Sequence, residues 1–245
     1  MLTAPLWPTA QAAVCNPADF SGAYGFLLTG DSKIGFGAQP AAALGRLVLD
    51  DSGKISGTVS AGFTGLLLGN PVTGGYEAHT DCSITWSLQD DSGNFQHFQG
   101  TATEDAKRIT FRQTDPGGAP NGTMLRTSSG CDAGEFQGRY KLTLSGHTVN
   151  VDSGQVSGDV SLSGFLDSDD AGGVSFSRDA ASPAAPAGTY EPDDDCFVHL
   201  TVQLPAGGNE APEMNFRAIL ADGGKEMIGI QSDPGAVVSL RLVSQ

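Results

Sequence analysis

The strongest constraint on the fold is an internal duplication, which is clearest at two copies of one turn sequence. Gln-Thr-Asp-Pro-Gly occupies residues 113–117, and Gln-Ser-Asp-Pro-Gly occupies residues 231–235. In such a turn, proline presets φ, glycine accepts a positive φ, and aspartate hydrogen-bonds to the backbone two residues on. Each copy follows a strand-like run, so the pattern predicts two strands that end at equivalent turns.

Three further blocks recur in the same order. The first block consists of Cys15, Phe20, Gly22, Tyr24, Leu28 and Gly30. It recurs 116 residues later (131 − 15) as Cys131, Phe136, Gly138, Tyr140, Leu144 and Gly146. Tyr-Glu-x3-Asp-Cys at residues 76–82 returns at residues 190–196. The Asp-Ser-Gly block at residues 51–60 aligns with residues 152–161, an offset of only 101 (152 − 51). This smaller offset predicts that the first copy contains an insertion or lid of roughly 15 residues near residues 31–45, loop-like over residues 31–43.

Repeats of about 115 residues are long enough for each to bury its own core. The 34 glycines and the frequent turn signals predict short strands with little helix. We therefore predict an all-β chain of two tandem antiparallel barrels, each with eight to nine strands. The expected boundaries are residues 1–14 for a leader remnant, 15–128 for the first barrel and 131–245 for the second. The short Ser-Ser-Gly link at residues 128–130 predicts that the barrels touch.

The formal charge of −15 makes nucleic acid an unfavourable partner, since an acidic surface repels phosphate. Beyond the N-terminus, no stretch approaches the roughly 18 apolar residues of a membrane span, so no transmembrane segment is expected. The excess of acidic residues is typical of a soluble surface. The sequence leaves the oligomeric state open.

The four cysteines occupy equivalent places in the two repeats, which favours the pairs Cys15–Cys82 and Cys131–Cys196 among the three possible connectivities. Four unpaired core thiols or a metal site are the alternatives, although no CxxC or His-x3-His spacing supports zinc. Disulfides indicate an oxidising compartment. Ala-Gln-Ala at residues 10–12 is similar to a signal-peptidase site, so we expect a secreted or periplasmic protein.

Four motifs resemble a group of small secreted bacterial proteins of unknown function. They are Tyr-Gly-x3-Thr-Gly at residues 24–30, Asp-Ser-Gly-x-Ile-x-Gly-x-Val at 51–59, Thr-Gly-x-Tyr-x5-Cys at 73–82 and Asp-Gly-Gly-Lys-Glu-x3-Ile-Gln-x-Asp-Pro-Gly at 222–235. The strand number is also similar to calycin and allene-oxide-cyclase-like barrels, without the lipocalin Gly-x-Trp signature. This resemblance implies a calycin-like fold and transfers no catalytic residue.

The chain contains no nucleophile elbow, HExxH sequence, phosphate-binding loop or dinucleotide fingerprint, so no cofactor is expected. His97 alternates with Phe95 and Gln99 and is predicted either to face a barrel interior or to be an ordinary surface histidine. Gln113 and Gln231 end equivalent strands and either face a cavity or bond to the adjacent turn. The ligand-binding candidates are Tyr24, Trp86, His97, Phe111, Arg112, Gln113, Tyr140 and Gln231.

Acidic clusters at residues 167–170 and 191–195 have oxygen ligands suited to Ca²⁺. Neither cluster matches an EF-hand or a glycine-aspartate nonapeptide, which favours solvated loops and predicts no metal site.

These observations leave three hypotheses for function. The first is an exported protein that binds a small apolar or amphipathic molecule inside a barrel. The second is a cofactor-independent cyclase or isomerase, which requires several of Tyr24, His97, Arg112 and Gln113 to meet in one pocket. The third is a structural or adhesive surface module, which requires filled barrels.

Overall fold

The computed structural model describes residues 14–34, 37–63, 66–117, 120–128, 130–131, 135–204 and 212–245. The predicted leader, residues 1–14, lies outside the described residues except for its last position. Within the described residues the chain forms sixteen strands. Two 3-10 helices, Pro17–Phe20 and Asp194–Cys196, precede the first and the thirteenth strand.

The first eight strands form one closed antiparallel barrel, in which each strand pairs with the next and β1 pairs with β8. These strands are β1 (Gly22–Ile34), β2 (Gly37–Leu49), β3 (Lys54–Phe63), β4 (Leu66–Ala78), β5 (Ser83–Asp90), β6 (Phe95–Ala102), β7 (Arg108–Gln113) and β8 (Asn121–Arg126).

The remaining eight strands form a second closed barrel in the same order, with β9 paired to β16. These strands are β9 (Gly138–Val149), β10 (Val156–Ser168), β11 (Gly173–Ser177), β12 (Ala185–Pro192), β13 (Phe197–Gln203), β14 (Glu213–Ala221), β15 (Glu226–Gln231) and β16 (Ala236–Ser244). The predicted all-β fold of two antiparallel barrels is confirmed, with eight strands in each barrel.

Each barrel has two different ends because successive hairpins turn at opposite ends. In the first barrel, the turns β2–β3, β4–β5 and β6–β7 lie at the end where the chain enters. There the 3-10 helix Pro17–Phe20 places Phe20 in the core, and its N-cap Asn16 accepts a hydrogen bond from the backbone of Ala18. We call this the closed end. The turns β1–β2, β3–β4, β5–β6 and β7–β8 lie at the opposite end, which we call the open end.

Both predicted disulfides are present, joining Cys15 to Cys82 and Cys131 to Cys196. Each bond ties the segment that enters a barrel to the start of the fifth strand of that barrel. The bridged cysteines are 67 and 65 residues apart. In the chain-entropy description, loops of this length contribute about 4 kcal/mol each.

The predicted insertion in the first repeat is wrong. Residues 31–34 form the end of β1 and residues 37–43 form the start of β2, and Asp31 to Ile34 pair with Pro40 to Gly37. The two Asp-Ser-Gly blocks lie on different hairpins, since the first begins at turn β2–β3 and the second at turn β9–β10.

The true equivalent of the β2–β3 turn is the β10–β11 turn, 119 residues later (169 − 50). The hydroxyl of Tyr76 donates to the carbonyl of Asp50 at 2.6 Å, and the hydroxyl of Tyr190 donates to the carbonyl of Asp169 at 2.8 Å. With this alignment the first barrel has no large insertion. Its β3–β4 hairpin is five residues longer, because the offset falls from 119 to 114 between these two contacts.

A third apolar cluster lies between the barrels, so the barrels touch as the short link predicted. It consists of residues of β1, β2 and β8 in the first barrel and of β9, β13 to β16 and the 3-10 helix Asp194–Cys196 in the second. Leu27, Leu44 and Leu125 of the first barrel meet Ile219 and Ile228 of the second. These apolar residues are buried on the outer surface of each barrel because the other barrel covers them.

Polar contacts surround the apolar cluster between the barrels. Arg108 forms an ion pair with Glu226, and Arg217 Nη1 donates to Ser60 Oγ at 2.8 Å. The guanidinium of Arg217 also lies over the Phe197 ring, 4.1 Å from its centroid. These contacts fix how the two outer surfaces meet.

Candidate functional site

A cavity of about 240 Å³ lies inside the first barrel, in the half near the open end. Its walls combine small and apolar side chains from the middle of the strands with polar side chains at the mouth. The apolar members include Phe26, Leu28, Ala41, Ala43, Val59, Ala61, Val72 and Leu88. The polar members are Ser32, Asn70, Asp90, Asn94, Gln96 and Gln113. The cavity is therefore amphipathic, with an apolar body and a polar entrance.

Aromatic rings form a layer beneath the cavity. Phe26 lines the cavity and stacks on Phe111, with the ring centroids 5.0 Å apart. Phe111 in turn meets the edge of Trp86 at 4.9 Å, and Trp86 stacks on Phe98 at 5.2 Å. Such offset and edge-to-face contacts stabilise aromatic clusters beyond simple burial. The layer separates the cavity from the closed end and gives it a rigid floor.

The mouth is organised by the β5–β6 turn. One oxygen of the Asp90 carboxylate accepts hydrogen bonds from the backbone N–H groups of Ser92 and Asn94, both at 2.9 Å. Its other oxygen accepts from the Asn94 side-chain amide at 3.2 Å. The hydrogen bonds from the backbone and side chain of Asn94 hold the pKa of Asp90 below its ordinary value. Asp90 is therefore an ionised carboxylate at neutral pH.

Gln113 reaches the cavity from β7 and is fixed by the following turn. Its amide nitrogen donates to the Asp115 carboxylate at 3.0 Å. Asp115 also accepts from the backbone N–H of His97 at 2.7 Å and lies 2.8 Å from His97 Nδ1. Burial alone would raise the pKa of Asp115, but the hydrogen bonds from His97 and Gln113 outweigh burial, and the pKa is lowered.

The second barrel repeats this arrangement with an asparagine in place of the histidine. Asp233 accepts from Gln231 at 2.8 Å, from the backbone of Asn215 at 2.8 Å and from the Asn215 side chain at 2.9 Å. We call each arrangement a turn clamp: Gln113, Asp115 and His97 in the first barrel, and Gln231, Asp233 and Asn215 in the second. Asn215 contacts Asp233 through both its backbone and its side chain, as His97 contacts Asp115, so each turn clamp ties the sixth strand of its barrel to the turn after the seventh.

The two tyrosines predicted as ligand candidates lie at the closed ends. The Tyr24 hydroxyl donates to the carbonyl of Ala106 at 2.9 Å and accepts from Arg126 at 2.7 Å. Burial raises the pKa of Tyr24, and the nearby Arg126 only partly opposes this. In the second barrel, the Tyr140 hydroxyl donates to the carbonyl of Gly224 at 2.8 Å. Both tyrosines tie the first strand of a barrel to the turn between its sixth and seventh strands.

The other sequence candidates divide between the interior and the outer surface. Gln113 lines the cavity, and Phe111 and Trp86 belong to the aromatic floor. Of the two orientations predicted for His97, the interior one is wrong, because strand alternation turns Gln96 and Phe98 inward. His97 is instead exposed on the outer face, as is Arg112. Gln231 forms the turn clamp of the second barrel.

Comparison of the barrels explains why the first contains this cavity. At five inward-facing positions, four of which line the cavity, the second barrel carries a larger or more apolar residue, and those residues belong to or pack against its core. The pairs, first barrel before second, are Ala41 and Val160, Ala43 and Leu162, Gly57 and Phe176, Asp90 and Leu204, and Gln96 and Met214. These residues belong to no sequence motif, and the difference between the repeats becomes visible in the sequence when they are aligned by hairpin order.

The acidic loops form contacts within the protein. Asp169 accepts from the backbone of Ala171 and Gly173, and Asp195 pairs with Arg46 of the first barrel at 3.3 Å. Among the described residues, no three histidine, cysteine, aspartate or glutamate side chains are grouped closely enough to hold a metal ion. In the same part of the chain, no helix is long and apolar enough to cross a bilayer.

No protein-family model and no curated protein matches the chain. Among solved structures, it is similar to isotype 1 transferrin binding protein B from serogroup B Neisseria meningitidis, with 7% identity over 92% of this chain and 75% of that chain and a TM-score of 0.35. It is also similar to a DUF3598-family protein of unknown function from Nostoc punctiforme, with 11% identity over 96% of this chain and 98% of that chain and a TM-score of 0.25. Similarities this low indicate nothing about ligand or activity, and they do not assign the chain to the calycin or allene-oxide-cyclase-like barrels.

Proposed function

We propose that the protein is an exported binding protein whose first barrel holds a small apolar or amphipathic molecule. The observation that carries this proposal is the cavity of about 240 Å³ in the first barrel, at positions where the second barrel has larger core residues. Pockets for drug-sized ligands occupy about 300–1,000 Å³, so the molecule is smaller than these ligands. The second barrel, packed against the outside of the first, acts as a support.

The geometry favours binding over the two alternative functions. A cyclase or isomerase was expected to bring several of Tyr24, His97, Arg112 and Gln113 into one pocket. Tyr24 instead lies at the closed end, and His97 and Arg112 lie on the outer face. A purely structural module fits two filled barrels better than one barrel with an amphipathic cavity.

The proposal also includes the location of the protein and the boundaries of its two repeats. Disulfides persist in oxidising compartments, and each barrel has one. We propose a secreted or periplasmic bacterial protein whose repeats span residues 15–128 and 131–245.

The first test is native mass spectrometry of protein purified from its own source, followed by organic extraction. A bound small molecule in one copy per chain is the expected result. Binding of apolar probes can then be followed through the fluorescence of Trp86, in a Trp7→Phe background that removes the second tryptophan. An empty protein that also ignores a panel of such probes contradicts the proposal.

A matched pair of variants locates the site. Ala43→Leu introduces into the cavity the residue that the second barrel has at the equivalent position, and we expect at least about tenfold weaker binding because the cavity is filled. Leu162→Ala makes the reverse change in the second barrel and leaves the fluorescence response of Trp86 to the probes unchanged. Equal effects of the two substitutions would exclude the first barrel as the specific site.

A further inference from the structure

Asp90 places a formal charge at the mouth of the cavity. Among the lining residues that the structure describes, Asp90 is the one with an ionisable side chain, and the others are amides, a hydroxyl and apolar groups. In the second barrel the equivalent residue is Leu204, which is fully buried. A negative charge thus stands at the mouth of the cavity where the filled barrel has a hydrocarbon side chain.

Two amides at the mouth have one N–H each committed to a carboxylate. Asn94 donates to Asp90, and Gln113 donates to Asp115. A carboxylate only accepts hydrogen bonds, so these contacts fix which end of each amide is the nitrogen. Each amide keeps one N–H and a carbonyl oxygen with two lone pairs. Together with the Asp90 carboxylate, they give the mouth more acceptors than donors.

We infer that the cavity takes a molecule with a compact apolar body and a hydrogen-bond-donating head, cationic such as an ammonium group or neutral such as a hydroxyl, and that it disfavours carboxylates. This inference rests on the proposed binding function of the first barrel. The apolar body occupies the space above Phe26, and the head lies at the mouth beside Asp90. A carboxylate head meets a like charge and a surplus of acceptors at the same place.

Three probes with one body and different heads test this inference: 3-phenylpropylamine, 3-phenylpropanol and 3-phenylpropanoate. Calorimetric titration of the full chain at low salt is expected to give affinities in the order amine, alcohol, carboxylate. Because Asp90 is only partly buried, we expect about a fivefold preference for amine over alcohol, as for opposite charges about 4 Å apart in water, and a larger preference for amine over the repelled carboxylate. This preference decreases as salt is added.

A substitution that removes the charge but keeps the turn isolates the role of Asp90. In Asp90→Asn the side-chain oxygen can still accept the backbone hydrogen bonds, as Asn150 does in the β9–β10 turn, where it accepts from Asp152 and Ser153. We expect this variant to lose the preference for amine over alcohol. The control is Asp50→Asn, since Asp50 accepts from Ser52 and Lys54 at 2.9 Å in an equivalent turn at the closed end. This control is expected to keep the wild-type selectivity.

The outcomes separate the inference from the proposed function. If the carboxylate binds as tightly as the amine, or if Asp50→Asn alters selectivity as much as Asp90→Asn, the inference is wrong while binding in the first barrel stands. If none of the three probes binds and Ala43→Leu changes nothing for any apolar probe, both are wrong. Loss of amine preference in Asp90→Asn alone supports the inference.

Discussion

The two barrels share a strand order, a closed-end tyrosine, a disulfide and a turn clamp, yet their interiors differ. In the first barrel an aromatic floor of Phe26, Phe111 and Trp86 lies below a cavity with a polar mouth. In the second, Phe176 and Leu204 belong to a continuous core. The features held in common maintain the barrel, and the features that differ decide whether it is hollow. A duplicated barrel can therefore keep one copy as a framework while the other copy has room for a ligand.

The outer surfaces differ in a complementary way. The first barrel buries Leu27, Ala42 and Leu44 against the second, and the equivalent positions in the second barrel are Thr143, Ser161 and Ser163, which are exposed. The second barrel buries Ile219, Ile228 and Ile230, whose equivalents in the first are exposed as Thr101, Thr110 and Arg112. At these equivalent positions, each barrel is apolar where the other covers it and polar where it is free, as in the terminal units of repeat proteins.

The largest expected effect on stability comes from exchanging the equivalent residues Asp90 and Leu204, which tests the difference between the two interiors. Leu204→Asp places a carboxylate where the second barrel has a fully buried side chain. We expect it to lower the free energy of unfolding by at least about 4 kcal/mol, because it loses apolar burial and adds an unpaired buried charge. Urea unfolding followed by far-UV circular dichroism measures this loss.

The reverse exchange provides the control. Asp90→Leu removes the hydrogen bonds of an exposed turn and is expected to have a much smaller effect on unfolding. Similar losses from the two substitutions would show that the interiors are equally hydrated at this position, and the distinction between a hollow and a filled barrel would then fail.

The outer faces can be exchanged in the same manner. Leu44→Ser introduces at the contact between the barrels the residue that the second barrel exposes at the equivalent position. We expect a loss of about 3 kcal/mol in the free energy of unfolding, since a fully buried leucine is removed and a hydroxyl is buried. Ser163→Leu, on the exposed face, changes stability by no more than about 0.5 kcal/mol. A loss below about 1 kcal/mol for Leu44→Ser would contradict the contact between the barrels.

The sequence predicted the features that are marked by residues recurring at equivalent places in both repeats. The recurrence of Tyr24 and Tyr140, together with the four cysteines, indicated two barrels and both disulfides, because these residues have one role in each unit. The match between residues 51–60 and 152–161 led to a wrong alignment of the repeats, because Asp-Ser-Gly is typical of any tight turn. Any hairpin can use that chemistry, so identical letters at turns do not establish equivalent strands.

The cavity was harder to predict for a different reason. A strand pattern places residues on alternate faces, but the segment around His97 fits either orientation, so the sequence left both open. Whether a barrel is hollow depends on the summed volume of side chains from all eight strands. The small side chains of Ala43 and Gly57 are informative only in comparison with Leu162 and Phe176, and this comparison requires the strand registers of both barrels.

The smallest expected effect on stability concerns the turn clamps, which both barrels contain. Asp115 and Asp233 each accept three hydrogen bonds in their turn clamps, and the pKa of each is lowered by these bonds despite burial. A lowered pKa in the folded state stabilises the protein above the ordinary aspartate pKa of about 3.9, and this contribution is lost as pH falls through the folded value. We therefore expect Asp115→Asn and Asp233→Asn each to cost about 1 kcal/mol at pH 7, because the amide turns a donor toward one of three donors.

The pH dependence of those two variants decides whether the clamps are equivalent. The difference from wild type should shrink below about pH 4, where wild type also loses its carboxylate charge, and urea unfolding between pH 3 and pH 7 measures it. Equal curves for the two substitutions mean that His97 and Asn215 do the same structural work, since each donates to its aspartate from both backbone and side chain. A loss confined to Asp115→Asn, or one that persists undiminished at pH 3, would show that the contact between His97 and Asp115 has a role that the second barrel lacks.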